Sequence, residues 1–365
     1  MRKLWWGQIK AVIRLEIKKT FLARRGLWIY VLALLPILLF SAHAVIVSHE
    51  RERNSQIAIR SEKRLTYQDL IAVRTGMTNQ EVIARLGQPP RRFSWNEQPA
   101  PGSGALAVNH DNYQYFDGAD TLFVDLADGK VSGIHIHEGY NLSEDSVVFA
   151  GVFQFFYLRL AIFFGCLGVF MNLFRGEILD KSLHFYFLAP VRREVLMVAK
   201  FLAGLLATCI IFVTSELLQI VAFTWQFSPT VRDLYLYHSH GLAYSAAYLG
   251  VTALACLGYG AFFLAAGMLF RNPILPAAVA LVWEALNPFL PALLKKFSII
   301  YYLKSLCPVD IPSPPGMPPL LSLLVSNPDP VSTPVAILGV VAVALLVLYV
   351  SSFQVRRMEI NYTSE

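Results

Sequence analysis

The stretch Leu196–Trp225, with the sequence LMVAKFLAGLLATCIIFVTSELLQIVAFTW, is apolar along nearly its whole length. A helix that crosses a lipid bilayer needs about 20 consecutive, mostly apolar residues. This stretch is longer than that, and its only charged residues are Lys200 and Glu216. It therefore predicts a membrane-spanning helix and indicates the fold class of the whole chain.

Five further stretches have the same character, so the sequence predicts an α-helical polytopic membrane protein with six transmembrane helices. The other spans are Leu27–Val47, Val148–Phe174, Ala243–Phe270, Ile274–Leu294 and Pro334–Phe353. Spans two to six occupy residues 148–353, and residues 354–365 form a tail. Pro288 and Pro291 interrupt span five, so Leu290–Leu306 is predicted to be a short re-entrant or interfacial piece.

The composition supports this fold class. Of the 365 residues, 55% are hydrophobic and 15% are charged, and the mean hydropathy is +0.49. Ordinary soluble proteins have about 25% charged residues. Disorder is excluded because the chain contains 25 Phe, 16 Tyr and 6 Trp. A disulfide scaffold is excluded because three of the four cysteines lie inside apolar runs.

The distribution of Lys and Arg sets the predicted orientation. Eight of them precede the first span, against a single acid, Glu16. More lie in segment 175–195, at Arg271 and in the tail. The positive-inside rule therefore predicts that both termini are cytoplasmic. The net charge of +6 then reflects topology, and no nucleic-acid partner is predicted.

Residues 1–26 are predicted to form a cytoplasmic, interfacial amphipathic helix. Its apolar side carries Trp5, Trp6, Ile9, Val12, Ile13 and Ile17, and its basic side carries Lys10, Arg14 and Lys18. Such a helix lies in the plane of the lipid headgroups. Two interpretations remain open, an anchor that only orients the protein and a lever that transmits force into span one at residues 27–47.

Hydropathy falls over residues 48–147, which predicts a small α+β extracytoplasmic domain between spans one and two. Thr78 and Glu81 have the spacing of a helix-capping box. Turn signals separate strand patterns. The predicted strands are Asn112–Phe116, Thr121–Leu126 and Val131–His137. The expected domain has two helices and about three antiparallel strands.

One motif of this domain resembles a known envelope fold. Gly76-Met77-Thr78, Glu81-Val82, Leu86-Gly87 and Pro89, followed by a strand and Asp128-Gly129-Lys130-Val131, are similar to the SmpA/OmlA (BamE-like) domain. The resemblance covers residues 65–138. The chain departs from that family because its domain lies between two spans and has no lipid-anchored Cys. The resemblance therefore implies a small fold that binds protein or lipid, without a role in outer-membrane assembly.

The segment 175–195, between spans two and three, is short, amphipathic and dense in charge. It also keeps large apolar residues that a water-facing loop does not need. These residues are Leu183, Phe185, Tyr186, Phe187 and Leu188. A partner is therefore expected to cover them.

The same segment resembles the permeases of the ABC-2 family of ABC transporters. The family pattern places an acid after span two, then an apolar stretch, Pro, a basic residue and a Lys that begins span three. The matching residues here are Glu177, Pro190, Arg192, Arg193 and Lys200. The amphipathic N-terminal helix, the six spans and Pro36 in span one agree with the family's plan.

The resemblance implies that Glu177–Leu188 is a coupling helix, seated in a groove of a separate cytoplasmic ATPase. The residues that it assigns to coupling are Glu177, Asp180, Lys181, Phe185, Tyr186, Arg192 and Arg193. A membrane-surface helix that only orients the protein is the alternative.

Three charged residues, Arg159, Glu216 and Glu284, fall near the middle of predicted spans. A lone charge at that depth costs at least ~2.5 kcal/mol, so partners are expected. Arg159 could pair with either Glu and lock the helix packing. The three could instead line a polar translocation path, or a Glu could be protonated and unpaired.

The chain contains no Gly-x4-Gly-Lys-Ser/Thr phosphate loop, so it is not expected to hydrolyse ATP. ATP and Mg would be bound by the partner ATPase. No catalytic cluster is seen. His135 and His137 share a strand face, but without a third ligand no metal site is predicted.

The resemblance to ABC-2 permeases implies a transport subunit of the bacterial cytoplasmic (inner) membrane, most simply an exporter. Two copies, or one copy with a related permease, would pair with two ATPase subunits and contact membrane lipid. The alternative is a non-transporting membrane scaffold or sensor whose envelope domain binds a protein partner. Lipid, peptide, glycan and drug substrates all remain open.

Overall fold

A computed structural model describes residues 2–22, 26–61, 63–97, 107–118, 120–137, 141–179, 192–270, 272, 274–312, 318 and 331–357. The chain divides into two compact units. One unit comprises Met1–Ser41 and Ser146–Glu365, and the other comprises Ala42–Asp145.

Helices dominate the described residues. In chain order they are α1 (Arg2–Leu22), α2 (Leu27–Arg60), α3 (Tyr67–Leu70), α4 (Asn79–Leu86), α5 (Leu142–Gly151), α6 (Phe163–Leu179), α7 (Arg193–Trp225), α8 (Pro229–Asp233), α9 (Gly241–Leu269), α10 (Ile274–Leu286), α11 (Ala292–Lys295), α12 (Ile299–Ser305) and α13 (Thr333–Arg357). A π-helical segment, Val152–Ile162, joins α5 to α6. A second π-helical segment, Leu234–His238, follows α8.

Five helical segments of the described chain are long and apolar enough to cross a membrane. They are α2, Leu142–Phe174, α7, α9 and Thr333–Arg356. The coarse prediction of a mainly helical fold with membrane-type helices is therefore confirmed. The number of such helices is five, where the sequence predicts six spans.

The predicted span Ile274–Leu294 is not one continuous helix. Its helical part, α10, has 13 residues, which at 1.5 Å per residue extends about 20 Å. The hydrocarbon core of a bilayer is about 30 Å thick. A 3-10 turn, Asn287–Phe289, follows α10, and Pro291 is the N-cap of α11. Proline lacks a backbone N–H and ends helices, so the apolar run is broken here.

Helix α2 is apolar on both of its faces. Ile29, Ala33 and Phe40 are buried, whereas Val31 and Leu38 are exposed. A surface helix of a soluble protein would carry polar residues on its outer face. The exposed apolar face of α2 therefore suits contact with lipid.

Phe170 lies where α6, α7 and α9 pack closely together. Its ring is fully buried. A Cβ atom at Gly204 of α7 would lie 2.7 Å from the ring, and one at Gly260 of α9 would lie 2.5 Å from it. Both positions need glycine because the ring occupies the space of a side chain.

The unit Ala42–Asp145 contains a four-stranded antiparallel sheet in the order β1-β2-β3-β4. The strands are β1 (Arg91–Glu97), β2 (Val108–Phe116), β3 (Thr121–Ala127) and β4 (Lys130–His137). The last three correspond to the predicted strands. The sequence analysis misses β1, an edge strand that is exposed on both faces after its first residue and whose apolar pattern is limited to Phe93 and Trp95.

The predicted capping box begins α4. Glu81 N donates to Thr78 Oγ1 at 3.3 Å, and Thr78 N donates to Glu81 Oε2 at 2.8 Å. Hydrogen bonds from the Thr78 backbone and side chain to the Glu81 carboxyl lower its pKa. Val82 and Leu86 of this helix are buried in the core of the unit. The cap therefore fixes where the helix begins and which of its residues face that core.

Candidate functional site

Most of the segment assigned to coupling lies outside the described residues. Asp180, Lys181, Phe185 and Tyr186 fall in the undescribed part of the chain, between α6 and Arg192. Glu177 belongs to α6, and its side chain is also outside the described part. The role of these residues stays a prediction.

Arg192 and Arg193 are described, and both lie where α7 begins. The Arg192 guanidinium lies over the ring of Trp5 in α1, 5.2 Å from the ring centroid. Arg193 Nη1 donates to Arg356 O of α13 at 3.1 Å. The next residue, Glu194, forms an ion pair with Arg356. The start of α7 therefore contacts both the first and the last described helix.

Lys200, two turns into α7, is fully buried. Its Nζ lies 2.7 Å from Glu16 Oε1 and donates to Leu173 O at 2.8 Å. The Phe174 ring lies 5.4 Å from the ammonium group. The Glu16 side chain is only 4% exposed. A buried ion pair persists only when its remaining hydrogen bonds are satisfied, and the Leu173 carbonyl meets that need.

The sequence alone assigns no role to Glu16, although a signal is present. Glu16 follows Val12 by four residues and Ile9 by seven, so it lies on the apolar stripe of α1. An acidic side chain on the apolar side of a helix needs a buried cation as its partner. Lys200, a single cation within an apolar run, is that partner.

Glu284 holds the beginning of α12. Its carboxylate accepts hydrogen bonds from Ser298 Oγ at 2.7 Å, Ile299 N at 3.0 Å and Ile300 N at 2.8 Å. The first N–H groups of a helix have no partner within the helix, and a carboxylate there also complements the helix dipole. Glu284 is therefore bound by neutral donors.

Arg159 lies in the π-helical segment, over the ring of Phe155 at 5.3 Å from the centroid. Its charge acts on Glu284 through space. Within the described residues it makes no ion-pair contact with either Glu284 or Glu216. The described contacts therefore do not show the predicted ion pair of Arg159 with either Glu.

Glu216, in the middle of α7, is completely buried, and neither of its carboxylate oxygens has a hydrogen-bond partner among the described residues. Polar neighbours on α7 are engaged elsewhere. Ser215 Oγ donates to Ala33 O at 2.6 Å, and Gln219 Nε2 donates to Ser215 Oγ at 3.2 Å. Tyr157 donates to Phe212 O. Glu216 thus lies in a polar region that leaves its own oxygens unsatisfied.

A narrow pocket lies next to this region. Aromatic side chains line most of it, among them Phe149, Phe223, Tyr235 and Tyr248. Among the described residues, no group of three or more His, Cys, Asp or Glu side chains could hold a metal ion.

Comparison with protein-family models, with curated proteins and with solved structures finds no match for this chain. Assignment of function therefore depends on the residues and contacts described above.

Proposed function

We propose that the chain is the membrane-spanning subunit of an ABC-2 type exporter in the bacterial inner membrane, working with a separate cytoplasmic ATPase. The observation that carries this proposal is the buried ion pair between Lys200 and Glu16. It joins the helix that follows segment 175–195 to the amphipathic helix at the N-terminus. A displacement of segment 175–195 would therefore move α1 and α7 together.

The contacts around the start of α7 extend this connection. Arg192 reaches α1, Arg193 and Glu194 reach α13, and Lys200 reaches both α1 and the end of α6. In the proposed mechanism, Glu177–Leu188 sits in a groove of the ATPase. Closure of the nucleotide-bound ATPase pair would shift this segment, and these contacts would distribute the shift over four helices.

The proposed topology places both termini and segment 175–195 in the cytoplasm, and residues 48–147 outside it. The five long helices found among the described residues give an odd number of crossings. Both termini share one side only if residues between α9 and α13 supply a further crossing. The broken segment Ile274–Phe289 and the elements that follow it are the candidates for that crossing.

Export would proceed through a cleft between two permease copies, or between this chain and a related permease. The exposed apolar faces of α2 and α13 are available for lipid or for such a partner. The unit Ala42–Asp145, inserted within this plan, would gate the outer exit or receive cargo. Deleting residues 65–138 should then impair export while the ATPase remains bound; unchanged export would contradict that role.

The decisive experiment is affinity purification of the full chain from its native membrane, with identification of the proteins that accompany it. A soluble ATPase in stoichiometric amount, lost on Glu177→Arg, is the expected result. Glu144→Arg is the matched control, because the proposed topology puts Glu144 on the opposite side of the membrane. A clean preparation without an ATPase would overturn the proposal and favour the scaffold or sensor.

A further inference from the structure

Five buried oxygen atoms without hydrogen-bond partners lie on two helices, α7 and α9. They are Glu216 Oε1, Glu216 Oε2, Gln219 Oε1, Tyr248 Oη and Thr252 Oγ1. In the described part of the chain, no other buried side-chain nitrogen or oxygen lacks a partner. None of the four residues is more than 4% exposed. The unsatisfied atoms are therefore concentrated in one region of the helical unit.

The helical spacing places these side chains on one face of each helix. Glu216 and Gln219 are three residues apart and share one face of α7, and Tyr248 and Thr252 are four apart and share one face of α9. The two helices pack against each other. The Tyr248 hydroxyl lies close enough to Glu216 to be affected by its charge. The five unpartnered oxygens thus belong to two helices that pack together.

Protein cations do not neutralise this group. Glu216 forms no ion pair with a described residue. Lys200 is held by Glu16, and Arg159 acts on Glu284. A buried carboxylate is stable only with a compensating charge or proton, and buried neutral oxygens also need partners. The region therefore suits a positively charged group that several oxygens can surround.

Hard metal cations meet this requirement because they prefer oxygen ligands, including carboxylate, amide and hydroxyl oxygens. One carboxylate balances one positive charge, so a monovalent ion leaves the site neutral and a divalent ion leaves a buried net charge. We propose that Glu216, Gln219, Tyr248 and Thr252 form a binding site for a monovalent alkali-metal cation. Binding would give all five oxygens a partner and would tie α7 to α9.

The test uses the full chain purified in detergent, with NaCl or KCl compared against choline chloride at constant ionic strength. Thermal unfolding and equilibrium binding of radioactive Na⁺ are measured. A ligand that binds only the folded state raises its stability in a saturable way. We expect the melting temperature to rise and saturate with Na⁺ or K⁺, with one cation bound per chain.

Three variants make the test specific. Glu216→Gln keeps the shape of the side chain, and we expect it to remain folded in choline but to lose the cation-dependent shift and the bound ion. Thr252→Val removes one oxygen at constant shape and should weaken binding about tenfold. Thr224→Val is the matched control on α7, because the Thr224 hydroxyl already donates to Ile220 O.

Two results would overturn the proposal. The first is identical melting in choline, Na⁺ and K⁺ with no bound cation, which would leave Glu216 as a protonated carboxyl. The second is unchanged binding in Glu216→Gln, which would place the cation elsewhere. Neither measurement needs an ATPase, so this inference and the transport function fail or succeed separately.

Discussion

Lys200 and Glu16, separated by 184 positions in the sequence, form an ion pair of 2.7 Å between Nζ and Oε1 in the interior of the helical unit. The pair fixes α1 against α7, where two isolated charges of opposite sign would otherwise lie among apolar residues. Because the pair is buried, the remaining charged group cannot be hydrated when its partner is removed.

Lys200→Met should therefore be strongly destabilising. Removing one partner of a buried pair leaves an uncompensated charge and costs about 3–5 kcal/mol. Thermal unfolding of the purified protein in detergent measures the effect. The double variant Lys200→Met/Glu16→Leu should recover most of the loss, and Lys18→Met, at an exposed position of α1, should melt like the wild type. Wild-type melting of the single variant would show that the pair does not form.

Gly260→Ala should destabilise the helical unit by about 1–3 kcal/mol, because the new methyl group overlaps the buried ring of Phe170. The ring has no space to move away, since α7 packs against it at Gly204. Gly250→Ala is the control on the same helix, where nothing lies within 4 Å of the added Cβ. That variant should melt at or above the wild-type temperature. Equal melting of the two variants would contradict the close packing.

Glu284→Gln should loosen α12. The amide retains one acceptor oxygen, so at least one of the three bonds from Ser298, Ile299 and Ile300 is lost, and each bond to a charged group contributes about 1.5–3 kcal/mol. Alkylation of Cys307, followed by peptide mass spectrometry, should become several-fold faster than in the wild type. Ser298→Ala should have a smaller effect, and Glu144→Gln should have none. An unchanged rate would mean that Glu284 does not hold this helix.

Thr78→Ala should open α4 locally, because the side-chain cap is lost at a cost of about 1 kcal/mol. Hydrogen exchange of residues 79–86 in the full chain should accelerate roughly fivefold. Gln80→Ala, on the exposed side of the same helix, leaves the cap intact and should change exchange little. Slower exchange in Thr78→Ala than in Gln80→Ala would contradict the capping role.

The same cap should weaken in acid. The pKa of Glu81 is lowered in the folded chain from its ordinary value of 4.5, so the carboxylate stabilises the fold above that pH. Its contribution disappears as the pH falls through the lowered pKa. Protection of residues 79–86, corrected for intrinsic exchange, should decrease there, and Glu81→Gln should show a smaller decrease. Identical pH profiles would argue against the role of the carboxylate.

Local patterns predicted the features that depend on neighbouring residues. The long apolar runs gave the membrane-type helices, and Thr78 with Glu81 gave the start of α4. Local patterns could not predict contacts between residues that are far apart in the sequence. The donors to Glu284 lie 14 to 16 residues later in the chain, and Glu16 meets Lys200 only through tertiary packing.

Two further differences come from weak local signals. Hydropathy counts Pro288 as part of an apolar run, although its backbone interrupts the helix. Strand β1 pairs with β2 through its backbone, from Arg91 opposite Gln114 to Glu97 opposite Val108. Its two apolar side chains, Phe93 and Trp95, are exposed and do not enter the core. Backbone pairing at a sheet edge requires no apolar pattern, so it leaves little trace in composition.

The surroundings of Lys200 also bear on how the chain is made. Two of its acceptors, the Glu16 carboxylate and the Leu173 carbonyl, precede it in the sequence. Synthesis runs from the N-terminus at about 5–20 residues per second, so both have left the ribosome before the lysine emerges. The cation can be neutralised as α7 enters the bilayer, before α9 and α13 exist. We therefore expect that loss of the N-terminal helix would first be seen as failed biogenesis of the later span.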